Sequence, residues 1–236
     1  MKSTLFIKSL LAVAFFMLGN CIAYSQEHNE IDSLLAKAYE RDQNIRIELM
    51  NLTKKGSIEG YTDNIIDSLM TVAEQMKEID EENIELVSSL LTNGLPEGLN
   101  LESYEAIWLI IDHAGIKQQK QYLPLMKRAS KKGLISANSL ATLTDRIMMY
   151  EGKPQKYGTQ SYTVNVDGKQ MIYIWPVSNP RKLNRLRKEI NTCSIEEYVL
   201  LLKESSGMEV IYEPKLTVKE MKKRGLLDHF DNTSEE

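Results

Sequence analysis

The chain has 236 residues, 42% of them apolar and 26% charged, with 29 basic against 33 acidic side chains and a formal net charge of −4. That apolar share supports a packed core and excludes a wholly disordered or fibrous chain, and the acidic balance argues against a nucleic-acid binder with a broad basic face. Two cysteines exclude a disulfide scaffold, and three histidines leave little room for a multi-histidine metal centre, so neither metal nor cofactor is expected.

Lys2 and Lys8 precede the apolar run 9–19, which is followed by small and polar residues. This pattern predicts a signal peptide over residues 1–25 and an exported protein, periplasmic or secreted. The run is too short for a permanent membrane helix, and no second run of that kind follows. Cleavage after Ala23 or Ser25 suits the small residues there; the latter removes both lysines and takes the net charge from −4 to −6. Leu18-Gly19-Asn20-Cys21 loosely resembles a lipoprotein box, which makes lipid anchoring through Cys21 the lesser alternative.

The body, residues 26–227, reads as a mainly α (α+β) domain with a small antiparallel β-hairpin packed on it. Ile31, Leu34, Leu35, Ala38, Ile45, Leu49 and Leu52 predict an amphipathic helix over 27–55. Asp42 interrupts its Ile31, Ala38, Ile45, Leu52 seam, which favours packing within the domain over pairing with a partner helix. A second helix starts after a Thr62 cap and runs towards Gly94, with a kink or break expected between Lys77 and Asn83. Residues 102–113 are apolar around the whole circumference and predict a central buried helix. Two further helices are expected over 117–131 and 137–151, the second stopped by Gly152-Lys153-Pro154.

Periodicity then switches to alternation. Residues 160–175 flank Asp167-Gly168, a two-residue hairpin signal that sets Val164 opposite Met171, Tyr162 opposite Tyr173 and Gln160 opposite Trp175. One face of that ribbon is apolar and must lie on helices. Asn179-Pro180 opens another helix to Ile190, carrying the basic residues Arg181, Lys182, Arg185, Arg187 and Lys188. Ser194 caps a helix through Leu202, residues 209–212 suit a late strand, and 228–236 read as a loose polar tail.

Polar residues in apolar company are the candidates for function. His113 ends the most apolar helix, as a satisfied core imidazole or as a general base or ligand-binding group. Asp145 shares a helix face with Ala141, Met148 and Met149 and needs a donor from afar; His113 or an arginine of another helix are the candidates. The stretch Gln155-Lys156-Tyr157-Gly158-Thr159-Gln160 either binds a polar ligand or knits hairpin to helices. No phosphate loop, metal spacing or nucleophile elbow is present, and Cys193 suits an inert thiol.

Several of these strings form a pattern. Asp42-Gln43 with Arg46, Asp80 with Asn83, Gly94-Leu95-Pro96, the helix from Trp108 to Ala114, Leu143-Thr144-Asp145-Arg146, Gly152 to Gln160, Arg187 and Glu197-Tyr198 together resemble an uncharacterised bacterial family, domain of unknown function 6624. Leu95, Asp112 and Asn191 depart from its usual tryptophan, glutamine and glycine. The resemblance implies a set of residues and no activity.

Together these residues predict one buried polar network of Arg46, His113, Asp145, Arg146, Gln155, Tyr157, Gln160 and Arg187, between the central helices and the hairpin. The favoured function is a non-catalytic binding or interaction domain whose cleft takes a polar small molecule or peptide. The alternative is a hydrolase or transferase in which Asp145 orients His113 as general base, with Arg146 or Arg187 steadying an anion.

Overall fold

Apolar residues three and four apart wind the first part of the chain into five helices, α1 Lys2–Glu59, α2 Asp63–Leu90, α3 Leu101–His113, α4 Ile116–Lys131 and α5 Ala137–Tyr150. The structure, a computed structural model, describes the backbone of residues 2–166, 168–227 and 230, and the side chains among these from residue 28 onward. Side chains of the expected leader, Asp167 of the hairpin turn and the tail residues 228, 229 and 231–236 therefore lie outside the described residues. Among those described, no helix is long and apolar enough to cross a membrane.

Thr62 sits at the start of α2 with extended backbone, although its side chain makes no capping bond. The break expected between Lys77 and Asn83 does not occur. Lys77, Glu78, Glu81 and Glu82 all fall on the exposed face, and Asn83 turns inward to donate to the Ala38 carbonyl at 3.4 Å. Polar residues at helical spacing mark a wetted face here, not an interruption. Asn100 caps α3 by accepting from the Ser103 amide at 2.7 Å. Ile107, Ile110 and Ile111 of α3 are buried against Leu35 of α1, Val87 of α2, Met126 of α4 and Leu143 of α5. The all-round apolar helix is central, as its composition requires.

Strands β1 Ser161–Val166 and β2 Lys169–Ile174 pair antiparallel, with Val164 opposite Met171 and Tyr162 opposite Tyr173. Gly168 supplies the positive φ, +81°, that the tight turn needs. A third strand, β3 Glu209–Ile211, adds parallel to β2 and gives a mixed sheet in the order β1-β2-β3. The fold is thus mainly helical with a small sheet.

The sheet corrects the expectation of a single buried face. Ile172, Tyr173, Ile174 and Trp175 are all at most 8% exposed. Val164, Tyr173 and Trp175 pack with Met149, Met221, Leu226 and Phe230, while Ile174 joins Val177, Leu183 and Ile195 on the other side. The second cover comes from α6 Leu183–Glu189, which follows a 3-10 turn Pro180–Lys182, and from α7 Ile195–Ser206. Ser194 and Glu197 form the capping box of α7. The first cover includes α8 Val218–Lys223, a short helix whose six residues carry too little periodicity to predict it. Phe230 stacks on Trp175 at 5.0 Å and meets Tyr162 edge-on at 5.2 Å, so this one tail residue is anchored.

Candidate functional site

Asp42 occupies a buried position of the α1 stripe, one turn beyond Ala38, and is fully buried. Its carboxylate accepts from His113 Nδ1 at 2.9 Å and Gln43 Nε2 at 2.8 Å, and pairs with Arg46 at 3.0 Å one turn along α1. Arg46 Nη2 reaches across to both oxygens of Asp80 on α2 at 2.9 Å. One knot thereby ties α1, α2 and α3. Burial alone would raise the Asp42 carboxyl, yet the His113 bond and the charges of His113 and Arg46 outweigh it and hold it below its ordinary value. Asp80 goes the other way, because burial outweighs Arg46.

A second arrangement forms around the segment before β1. Asp145, fully buried on α5, accepts from the amides of Lys156 at 2.8 Å, Tyr157 at 2.9 Å and Thr159 at 3.2 Å, and from the Thr159 hydroxyl at 3.2 Å. Burial raises its carboxyl above the usual range, against the pull of those donors. Gln155 behaves as a strand made of one side chain. It donates to the carbonyls of Gln160 and Trp175 and accepts from the Gln160 amide. From the opposite side Arg187, 2% exposed, donates through Nη1 to the carbonyls of Tyr157 and Gly158, both at 2.9 Å, and through Nε to that of Cys193 at 2.7 Å. Asp145 holds the amides of the segment and Arg187 holds its carbonyls. Gly158 permits this, with φ +67° and the side chains of Leu183 and Ile195 only 3.3 Å from where a Cβ would stand.

Between α5, this segment and the α6–α7 turn lies a cavity of about 450 Å³. Arg146, Gln160 and Arg187 line it with Thr142, Thr159 and Tyr198. Arg146 sets its Nε and Nη2 on the buried Oδ2 of Asp112 at 3.0 and 2.9 Å, and this pairing, with a lesser contribution from Tyr150, outweighs burial to raise the guanidinium further above its ordinary value. The Tyr198 hydroxyl donates to the Thr159 carbonyl at 2.9 Å, and its ring lies 5.0 Å from the Arg187 guanidinium. Burial raises that phenol, opposed by the charges of Arg187 and Arg146.

The expected single network is therefore divided. Asp145, Gln155, Gln160, Arg187 and the backbone of Tyr157 gather at the segment before β1, and Arg146 joins Gln160 and Arg187 at the cavity. Arg46 and His113 belong to the Asp42 knot. The His113–Asp145 contact does not form, because neighbouring amides fill Asp145 and Asp42 takes His113. Asp42, Asp112 and Tyr198 were missed as site residues. A carboxylate on the buried stripe of α1 was the available signal for Asp42, and the family pattern, which holds both Asp42 and Tyr198, was the signal for Tyr198.

A family model described as a family of unknown function (DUF6624) matches residues 30–211. No curated protein and no solved structure matches the chain.

Proposed function

The chain belongs to DUF6624, a family of unknown function, and we propose that it is an exported binding protein that holds a small polar ligand in the cavity beside β1 without converting it. The observation that carries this reading is the meeting of Arg146, Gln160 and Arg187, from α5, the segment before β1 and α6, on one cavity of ligand size. A cavity of similar volume, about 440 Å³, lies between α1 and α3, but its charged lining is acidic throughout, from Asp32, Glu102 and Glu105. The lysine-flanked apolar run at the N-terminus supports export.

The hydrolase or transferase reading needed Asp145 to orient His113, and that contact is replaced by Asp42. His113 also lines neither of these two cavities. A thermal-shift screen of polar small molecules tests the binding reading. Thr142→Tyr, which fills the cavity, should abolish the stabilisation, while His113→Ala should retain it. Ligands that stabilise the wild type and Thr142→Tyr equally would move the site elsewhere.

A further inference from the structure

Taking that cavity as the ligand site, we infer that its occupant is an oxyanion on a hydroxylated body, a sugar or polyol bearing one phosphate or carboxylate group. Arg187 is the first reason. It is almost wholly buried, and the groups it touches are three carbonyls, the Cys193 sulfur at 3.7 Å and the Tyr198 ring, while the exposed Glu196 carboxylate acts on it through its charge without a contact. A buried cation without a contacting carboxylate favours an anion in the space it faces. Asp145 does not fill that role directly, since its charge is spent on amides on the other side of the segment before β1.

Arg146 supplies the second reason. It lines the same cavity; Asp112 balances its charge along the Nε–Nη2 edge, and the neutral Tyr150 phenol is a further hydrogen-bond partner. The cavity therefore presents two guanidinium groups against one contacting carboxylate, and guanidinium is the side-chain chemistry best suited to phosphate and carboxylate oxygens. The remaining lining supplies the hydroxylated half of the inference. Asn138, Thr142, Gln160 and Thr192 offer neutral amide and hydroxyl groups, which match the alternating donors and acceptors of a polyol.

The full chain, titrated calorimetrically at constant ionic strength with inorganic phosphate, glucose 6-phosphate, glucuronate and glucose, tests this. At least one sugar anion should bind about tenfold more tightly than inorganic phosphate or glucose, and a preference between the two sugar anions identifies the phosphate or the carboxylate as the recognised group. Asn138→Asp is the diagnostic variant, because it keeps the shape, adds one negative charge at the cavity and lies in the first turn of α5, where an acid favours the helix. It should weaken anion binding at least about fivefold with thermal stability retained. Glucose binding as tightly as the anions, sensitive to Thr142→Tyr but not to Asn138→Asp, would overturn the anion assignment and leave a neutral-ligand site standing. No binding by any probe at about 10 mM, or binding indifferent to both variants, would overturn the assignment and the site together.

Discussion

Replacing Asp42 with asparagine keeps the side-chain shape and removes one charge from the knot of α1, α2 and α3. The carboxylate holds His113 at 2.9 Å, Arg46 at 3.0 Å and Gln43 at 2.8 Å. The amide oxygen can retain one side of that set, while the amide NH₂ must face a donor on the other. Arg46 keeps Asp80, so its charge is not stranded. A charge-assisted bond contributes about 1.5–3 kcal/mol and a neutral one about 1, so weakening two of them, offset by relief of carboxylate burial, costs about 2 kcal/mol. For a chain of this size that is about 4–8 °C in Tm.

Urea unfolding followed by circular dichroism across the acid range measures both the size and the sign. The folded-state carboxyl is held below its ordinary value. Its contribution is therefore complete above the unfolded aspartate pKa of about 3.9 and is lost as pH falls through the depressed folded value. The gap between wild type and Asp42→Asn should close on acidification. In double-mutant cycles, His113→Ala should couple to Asp42→Asn by about 1 kcal/mol or more and add to Asp145→Asn within about 0.5 kcal/mol. A gap that widens in acid, or coupling of His113 to Asp145 instead, would refute this account of the knot.

Two further substitutions probe the segment before β1. Gly158→Ala places a methyl 3.3 Å from Leu183 and Ile195 at a φ of +67°, and should cost about 1–3 kcal/mol in urea unfolding; wild-type stability would show that the segment relaxes freely. Asp145→Asn leaves one oxygen for donors now shared between two, orphaning the Lys156 amide or those of Tyr157 and Thr159, and should cost about 1–3 kcal/mol. Hydrogen exchange should then quicken at those amides and not at Ile107 or Leu143, and uniform quickening would indicate global destabilisation instead.

The helices were legible because their signal is local: apolar spacing places Leu35, Val87, Ile107 and Leu143 on inward faces whatever their partners. The hairpin register was legible for the same reason, since Asp167-Gly168 fixes which residues oppose. The partners of buried polar groups were not. Sequence shows that Asp145 and His113 each need a counterpart, but two needy groups do not have to satisfy one another. Asp145 was satisfied within fifteen residues by backbone amides, a solution invisible to a search among ionisable side chains. The parallel pairing of β3 and the six residues of α8 carry too little periodicity to be placed, although Thr217, whose hydroxyl accepts from the Glu220 amide, is the capping signal that was there to be read.

The segment before β1 is at once a brace and a wall of the cavity, and the two roles have one cause. Ordering a backbone residue costs about 1–2 kcal/mol, so six residues of turn conformation need many partners. Three buried side chains provide them: Asp145 through amides, Gln155 through the Gln160 backbone, and Arg187 through the carbonyls of Tyr157 and Gly158. Those last two bonds hold the guanidinium at the cavity wall, where the ring of Tyr198, itself bonded to the Thr159 carbonyl, lies 5.0 Å from it. Fixing the wall therefore also fixes the cation. On the proposed binding reading, a ligand would meet groups ordered during folding, and binding would not have to supply that entropy again.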